Sequence, residues 1–167
     1  MAKLVLMTAD EMIALDAEGR GQARFEARTT PLARQILGAF LERGGPLPVG
    51  FLGASPDAPD ALAHLDNTDL IRIHEGHIDV AYPFSAAPTA FVVRLPDGKE
   101  RYACCATDAL GIAPMVGLPV KISTRCHHSG TPLEFSSTPE GPGADAAGVM
   151  LWVGEPPDER CRSIDGL

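Results

Sequence analysis

The densest group of chemically reactive side chains in the sequence is Cys104-Cys105-Ala-Thr-Asp108. If a helix begins near position 105, Cys105 and Asp108 share one of its faces, because residues three apart are neighbours on a helix. Exposed amide groups and the helix dipole would then favour the Cys105 thiolate. A partly desolvated carboxyl beside a thiolate should have a raised pKa and hold a proton for delivery. The spacing therefore predicts a thiolate next to a proton-carrying carboxyl.

A second group of candidate ligands, Cys126-His127-His128, follows later in the chain. A zinc site usually takes four ligands with at least one Cys-x-x-Cys pair, and this sequence has none. Adjacent ligands also point along diverging directions, which does not favour zinc. A Cys-His protease dyad lacks a local signature, and no phosphate loop, dinucleotide fingerprint or serine elbow is present.

Helical signals surround these groups. Thr8-Ala-Asp-Glu11 is typical of a capping box for a short helix that ends at Gly19, and residues 20–29 are interpreted as a polar linker. Thr30-Pro31 predicts an N-cap before a helix that ends at Gly44-Gly45. Ser55 and Asp57 are expected to cap a further helix, and the apolar segment from Cys105 to Met115 predicts the helix that carries the reactive pair, ending near Pro114 and Gly117.

Strand signals alternate with these helices. Leu70 to His74 and His77 to Tyr82, separated by Glu75-Gly76, predict a β-hairpin. After Pro88 we expect strands at 91–95 and from Tyr102, and then at 120–123, 133–135 and 149–153. Residues 138–147 are interpreted as a loop, and the tail from Gly154 as a mobile segment.

Three helices followed by a hairpin is the order of a winged-helix module, a class that often binds DNA. The candidate third helix is acidic where a recognition helix should offer Arg, Lys, Asn or Gln; its polar positions are Asp57, Asp60, His64, Asp66 and Asp69. The net charge of −8 also opposes binding to a polyanion. We therefore interpret this module as structural and expect no nucleic-acid partner.

Composition bounds the remaining function classes. The 167 residues are 45% hydrophobic and 22% charged, which is ordinary for a globular protein. No apolar run approaches the roughly 20 residues that a membrane span needs, and the opening MAKLVLM is too short for a signal-peptide core. We expect a cytoplasmic protein without a membrane partner, whose four cysteines remain thiols.

The stretch from Arg101 to Leu133 resembles the core of the organomercurial (alkylmercury) lyases. Their pattern is Tyr-Ala-x-Cys-Ala-x-Asp-x-Leu, a proline, a Val/Ile-Ser strand leading to a second cysteine, and Gly-x-Pro. The matching residues are Tyr102, Ala103, Cys105, Ala106, Asp108, Leu110, Pro114, Ile122, Ser123, Cys126, Gly130 and Pro132. The winged-helix-like order is a further similarity, since the family places such a module before its catalytic domain.

The resemblance implies that Cys105 attacks mercury as the first catalytic thiolate and that Asp108 delivers the proton that releases the carbon group. Mercury is soft and prefers thiolate to oxygen or imidazole. The family's second catalytic thiol corresponds to Cys161, with Cys104 as a less suitable metal ligand because adjacent side chains diverge. Cys126 matches a cysteine with a structural role, and we expect it to be buried. No cofactor is implied, since mercury is the substrate and product ion.

Two functions remain open at this point. The first is protonolysis of R–Hg⁺ to RH and Hg²⁺, with an organomercurial substrate and with cellular thiols or a mercuric reductase as acceptor of the ion. The second is a non-catalytic protein that binds a soft ion such as Hg(II) or Cu(I) for sensing. The second is motivated by the C-terminus, because the family pattern continues beyond Cys161 whereas this sequence ends at Leu167.

The expected fold class is α+β, with an N-terminal winged-helix-like module followed by a mixed sheet and helix lyase-like domain. We expect three parts: an N-terminal helix and linker at 1–29, the winged-helix-like module at 30–88, and the lyase-like catalytic domain with its tail at 89–167.

Overall fold

The computed structural model describes residues 25–53 and 58–151. The predicted first helix at 8–19, the tail from Gly154 and Cys161 lie outside these residues. Within them the fold combines a helical segment at 25–28 and three longer α-helices with one antiparallel sheet. None of the helices in this part of the chain is long and apolar enough to span a bilayer.

The helices are α1 (Pro31–Arg43), α2 (Ala58–Asn67) and α3 (Ala106–Val116). Thr30 caps α1 as predicted, since its side chain accepts a hydrogen bond from the Ala33 amide. Gly44 ends α1 in the left-handed conformation. The predicted linker is partly wrong, because residues 25–28 are helical.

The structure contains strands at the predicted hairpin and several shorter strands that were not predicted. They are β1 (Leu47–Pro48), β2 (Ile71–His74), β3 (His77–Ala81), β4 (Phe84–Ser85), β5 (Phe91–Arg94), β6 (Glu100–Ala103), β7 (Val120–Arg125), β8 (Pro132–Thr138) and β9 (Gly141–Pro142). The segment 138–147, interpreted as a loop, contains β9 and a 3₁₀ turn at Ala144–Ala146. Residues 149–151 are not extended as a strand, so that prediction is wrong for its described part.

All strand pairings are antiparallel, and the sheet runs in the order β1-β3-β4-β6-β5-β7-β8-β9, with β2 paired to β3. Because β4 pairs with both β3 and β6, the predicted hairpin and the later strands belong to one continuous sheet. The sheet therefore crosses the predicted boundary at residue 88. The winged-helix interpretation stays a prediction, since its first helix lies outside the described residues.

The core fills the space between this sheet and the helices. Phe40 of α1 stacks on Phe84 of β4, with ring centroids 6.4 Å apart, and both are almost fully buried. Ala109, Ile112 and Ala113 form the buried face of α3. Asp108 lies beside this buried face and is only partly buried, so its carboxyl remains available for chemistry.

Arg101 joins α1 to the sheet. This buried side chain lies on β6 and donates hydrogen bonds from Nε to the Leu41 carbonyl (2.7 Å) and from Nη2 to the Leu41 and Glu42 carbonyls, the latter at 2.8 Å. These carbonyls lie in the last turn of α1, where no further helical turn supplies donors. A Cβ at Gly44 would approach Arg101 Nη1 to 2.9 Å, so the glycine also makes room for the guanidinium.

Candidate functional site

The reactive pair predicted from the sequence lies where β6 leads into α3. Cys104 follows the last residue of β6, and Cys105 is the N-cap of α3. The Cys105 Sγ accepts a hydrogen bond from the Asp108 backbone N–H at 3.4 Å and donates its S–H to Asp108 Oδ2 at 3.0 Å. Cys105 and Asp108, referred to below as the Cys105–Asp108 pair, are therefore in direct contact, as their spacing predicts.

The protonation of the pair differs from the expectation of a favoured thiolate. Burial, the negative charge of Asp108 and the hydrogen bond to its carboxylate together raise the pKa of the Cys105 thiol to about 11. The backbone N–H groups of Asp108 and Thr107 act in the opposite direction but are outweighed. At neutral pH the thiol keeps its proton, and that proton already points at a carboxylate oxygen.

Cys104 points into the core rather than towards a site. Its side chain is 6% exposed, and its backbone N–H donates to the Pro83 carbonyl at 3.0 Å. Burial is the main cause that raises the pKa of this thiol well above its ordinary value. A buried, protonated thiol is poorly suited to meet a metal ion that arrives from solvent.

Cys126 directly follows β7 at the start of a tight loop, and it is only partly buried, contrary to expectation. Its carbonyl accepts from the Gly130 amide (2.8 Å) and its amide donates to the Thr131 carbonyl (2.9 Å), so its backbone closes the loop. Hydrogen bonds from the Ser129 side chain and from the Ser129 and His128 amides lower the pKa of its thiol. Cys126 thus has a structural environment and a comparatively reactive thiol.

No cluster of three or more His, Cys, Asp or Glu side chains in residues 25–53 and 58–151 is arranged to hold a metal ion. The group Cys126-His127-His128 is therefore not a metal centre formed by the described residues alone. The two-thiol arrangement implied by the resemblance needs Cys161, which lies outside the described residues.

Asp108 also borders an open cleft of about 700 Å³ between α1 and α3. Its lining is mainly apolar, with two arginines on the side of α1. The lining residues are Arg28, Arg34, Leu37, Gly38, Leu41, Pro83, Thr107, Asp108, Gly111, Met115, Val116 and Leu118. We refer to this feature as the α1–α3 cleft.

The sequence analysis did not identify the residues of α1 that line this cleft. The residues of α1 that line the cleft are spaced by three, one and three positions, which places them on one helical face; they are Arg34, Leu37, Gly38 and Leu41. That periodicity was a usable signal. It identifies one face of α1, but it does not show that this face lies opposite the face of α3 that bears Asp108.

The comparisons of this chain with known proteins agree on one family. The family model described as alkylmercury lyase (MerB) matches residues 84–166. The alkylmercury lyase of Staphylococcus epidermidis (strain ATCC 12228 / FDA PCI 1200) is 28% identical over 103 residues, which cover 60% of this chain and 47% of the relative. This chain thus spans about half the length of that curated relative.

The solved structure of the mercury-bound form of MerB2 shares the fold, with a TM-score of 0.59 and 19% sequence identity over 74% of this chain and 65% of that one. At this identity the likeness concerns the fold alone. The Cys105–Asp108 pair lies inside the matched residues 84–166, whereas α1 lies before them. Residues 84–166 thus match the alkylmercury lyase family, and the curated relative and the shared fold support the same family.

Proposed function

We propose that the chain cleaves carbon–mercury bonds by protonolysis, converting R–Hg⁺ to RH and thiol-bound Hg²⁺. The observation that carries this proposal is the contact between the Cys105 S–H and Asp108 Oδ2 at 3.0 Å. A soft metal seeks the sulfur, and the carbon that leaves needs a proton at the same moment. The pair offers both groups within one hydrogen bond.

In the first step the Cys105 Sγ bonds to mercury while its S–H bond breaks. The proton passes to Asp108 Oδ2, the oxygen to which it is already hydrogen-bonded. A protonated thiol is therefore not a disadvantage here, because its proton is kept inside the site. Asp108 becomes the neutral acid that the second step requires.

In the second step another thiol, which we assign to Cys161, bonds to mercury through its sulfur while its S–H bond breaks and its proton is released to solvent. Electron density from two thiolates weakens the Hg–C bond, and the bonding pair remains on carbon as the bond breaks. Asp108 transfers its proton to that carbon, RH leaves, and the carboxylate is restored. Hg²⁺ stays on the two sulfurs until cellular thiols or a mercuric reductase remove it.

The reaction needs no cofactor, since proton and thiolates all come from side chains. It does need reduced cysteines, which is why we place the protein in the cytoplasm. The burial of Cys104 argues against that residue as the second thiol. Cys126, the residue after β7, keeps the structural role, because its backbone closes the loop that follows that strand.

The test is incubation of the reduced protein with phenylmercury and excess small thiol, with benzene release followed by gas chromatography. Cys105→Ser is the critical variant, and Cys126→Ser is the matched control because it also removes a single partly buried thiol. We expect benzene from the wild type and from Cys126→Ser but none from Cys105→Ser. Normal release from Cys105→Ser would refute the proposal, and mercury retained by the wild type without benzene would indicate the soft-metal binding protein instead.

A further inference from the structure

The organic group of the substrate must lie close to Asp108 when the bond breaks. This argument rests on the proposed function, in which the Asp108 carboxyl hands its proton to the carbon that leaves mercury. Proton transfer requires donor and acceptor within hydrogen-bond reach. Asp108 borders the α1–α3 cleft, so this cleft is the space into which that carbon group can extend.

The cleft has the size and surface of a site for a small organic molecule. Such sites commonly enclose about 300–1,000 Å³ and are mostly apolar with a few polar groups. The cleft volume of about 700 Å³ lies within that range, and it far exceeds the needs of a methyl group. Met115 and Leu118, which line it, are 39% and 49% exposed, so apolar surface faces the open space.

Two glycines keep this space open from opposite sides. Gly38 lies on the cleft face of α1, and Gly111 lies on α3 one turn beyond Asp108. A Cβ added at either position would meet no atom of residues 25–53 and 58–151 within 4 Å, so both positions have room for a larger group in this part of the chain. Glycine lowers helix stability relative to alanine. Neither position requires glycine for a positive φ, so what these two residues contribute to the cleft is the space that their missing side chains leave.

The charge of the cleft differs from that of the whole chain. The net charge of the sequence is −8, yet the charged lining residues are Arg28, Arg34 and Asp108. Arg34 is exposed and lies on the same face of α1 as Leu37 and Gly38. A negative group at the far end of a bound ring would be attracted to this guanidinium.

We propose that the α1–α3 cleft binds the organic group of the substrate, that Gly38 and Gly111 admit an aromatic ring, and that Arg34 favours a ring carrying a carboxylate. The substrate class is thus arylmercurials, in particular anionic ones. The determinants of this selectivity lie largely on α1, before the residues that match the family model.

The experiment compares the release of methane from methylmercury, of benzene from phenylmercury and of benzoate from 4-mercuribenzoate, each in excess small thiol. Gly111→Leu should lower the ratio of kcat/KM for phenylmercury to that for methylmercury by about 10-fold or more, since an apolar pocket discriminates by size on this scale. Gly111→Ala, which adds only one methyl group, should change that ratio much less. An unchanged ratio in Gly111→Leu would overturn the assignment of the cleft.

Charge selection is tested separately. Arg34→Gln should lower the ratio of kcat/KM for 4-mercuribenzoate to that for phenylmercury by about 3-fold, the scale of an exposed ion pair, and added salt should reduce the wild-type preference. Arg43→Gln is the matched control, because Arg43 lies on the same helix but stacks over Phe51, 5.1 Å from its ring centroid. Equal ratios in Arg34→Gln and Arg43→Gln would overturn the role of Arg34.

The outcomes separate this inference from the function on which it rests. Benzene release by the wild type with no selectivity change in the variants refutes the cleft assignment and leaves the lyase proposal intact. If none of the three compounds is cleaved to methane, benzene or benzoate, the lyase proposal is refuted, and the inference about the cleft is refuted as well.

Discussion

At the scale of single residues, the chain separates three described thiols by their surroundings. Cys104 is buried in the core, Cys105 donates to a carboxylate, and Cys126 accepts hydrogen bonds in a loop. The pKa of the thiol is raised in the first two and lowered in the third. The thiol that reacts fastest with a simple electrophile therefore need not be the catalytic one. Cys105 can remain protonated until mercury arrives, because it then passes its proton to Asp108.

These surroundings predict an order of alkylation. With iodoacetamide at pH 8, Cys126 should react before Cys105, and Cys104 should react last, because only the thiolate is nucleophilic. The rate at Cys105 should keep rising with pH towards its pKa of about 11. Mass spectrometry of tryptic peptides after timed quenching gives the three rates. Cys105 labelled first at pH 8 would contradict the raised pKa that burial and Asp108 give its thiol.

At the scale of secondary-structure elements, Arg101 fixes α1 against the sheet and so positions one wall of the α1–α3 cleft. Its guanidinium is buried and bonds to the carbonyls of the last turn of α1 and to the Glu100 carbonyl at 2.6 Å. The helix C-terminus carries partial negative charge, which a buried cation offsets. The sequence analysis noted Arg101 only as the start of the resembling stretch, and the structure shows what it contacts.

Removal of this cation should destabilise the fold. Arg101→Met keeps much of the apolar stem but removes the donor from the part-buried hydrogen bonds to the Leu41 and Glu42 carbonyls, so we expect a loss of about 2–4 kcal/mol in the free energy of unfolding. Urea denaturation measures this through the midpoint. Arg94→Gln is the matched control, because Arg94 on the neighbouring strand forms an exposed ion pair with Glu100; its midpoint should not change measurably. Equal midpoints for the two variants would contradict the role of Arg101.

The elements were predictable where local signals were strong. Thr30-Pro31 and Gly44 define α1, Glu75-Gly76 defines the β2–β3 hairpin, and Gly117 ends α3. The contact of Cys105 with Asp108 also followed from spacing alone. By contrast, the two-residue strands β1, β4 and β9 have no periodicity to detect, and they form because longer neighbours offer unpaired backbone. The cleft was not predictable, since it depends on how α1 and α3 face each other.

At the scale of the whole molecule, one sheet connects the strands before residue 88 to those after it. The family model begins at residue 84, so β4 lies inside the match while its partner β3 lies before it. The hairpin of the winged-helix-like order is thus hydrogen-bonded to the strands that precede the reactive pair. This arrangement favours a structural role for the winged-helix-like module. The acidic residues in and around α2 favour the same role.

The same charge argument predicts that the protein does not bind nucleic acid. With a net charge of −8, duplex DNA should be repelled, because duplex affinity rests largely on Lys and Arg neutralising phosphates. Fluorescence anisotropy of a labelled random duplex at low salt should show no binding at micromolar protein. Binding that weakens steeply as salt is added would instead support a DNA-binding regulator and would require a basic surface that the net charge does not indicate.

The central claim is that Asp108 carries the proton from the Cys105 thiol to the leaving carbon. Asp108→Asn tests it most directly, because the amide keeps the shape of the carboxylate but cannot carry that proton. After phenylmercury is added in excess small thiol, benzene and protein-bound mercury are measured on the same sample. We expect Asp108→Asn to retain mercury while benzene release falls by about 100-fold or more, the scale of a lost general acid. Benzene release at the wild-type rate in Asp108→Asn would contradict the account.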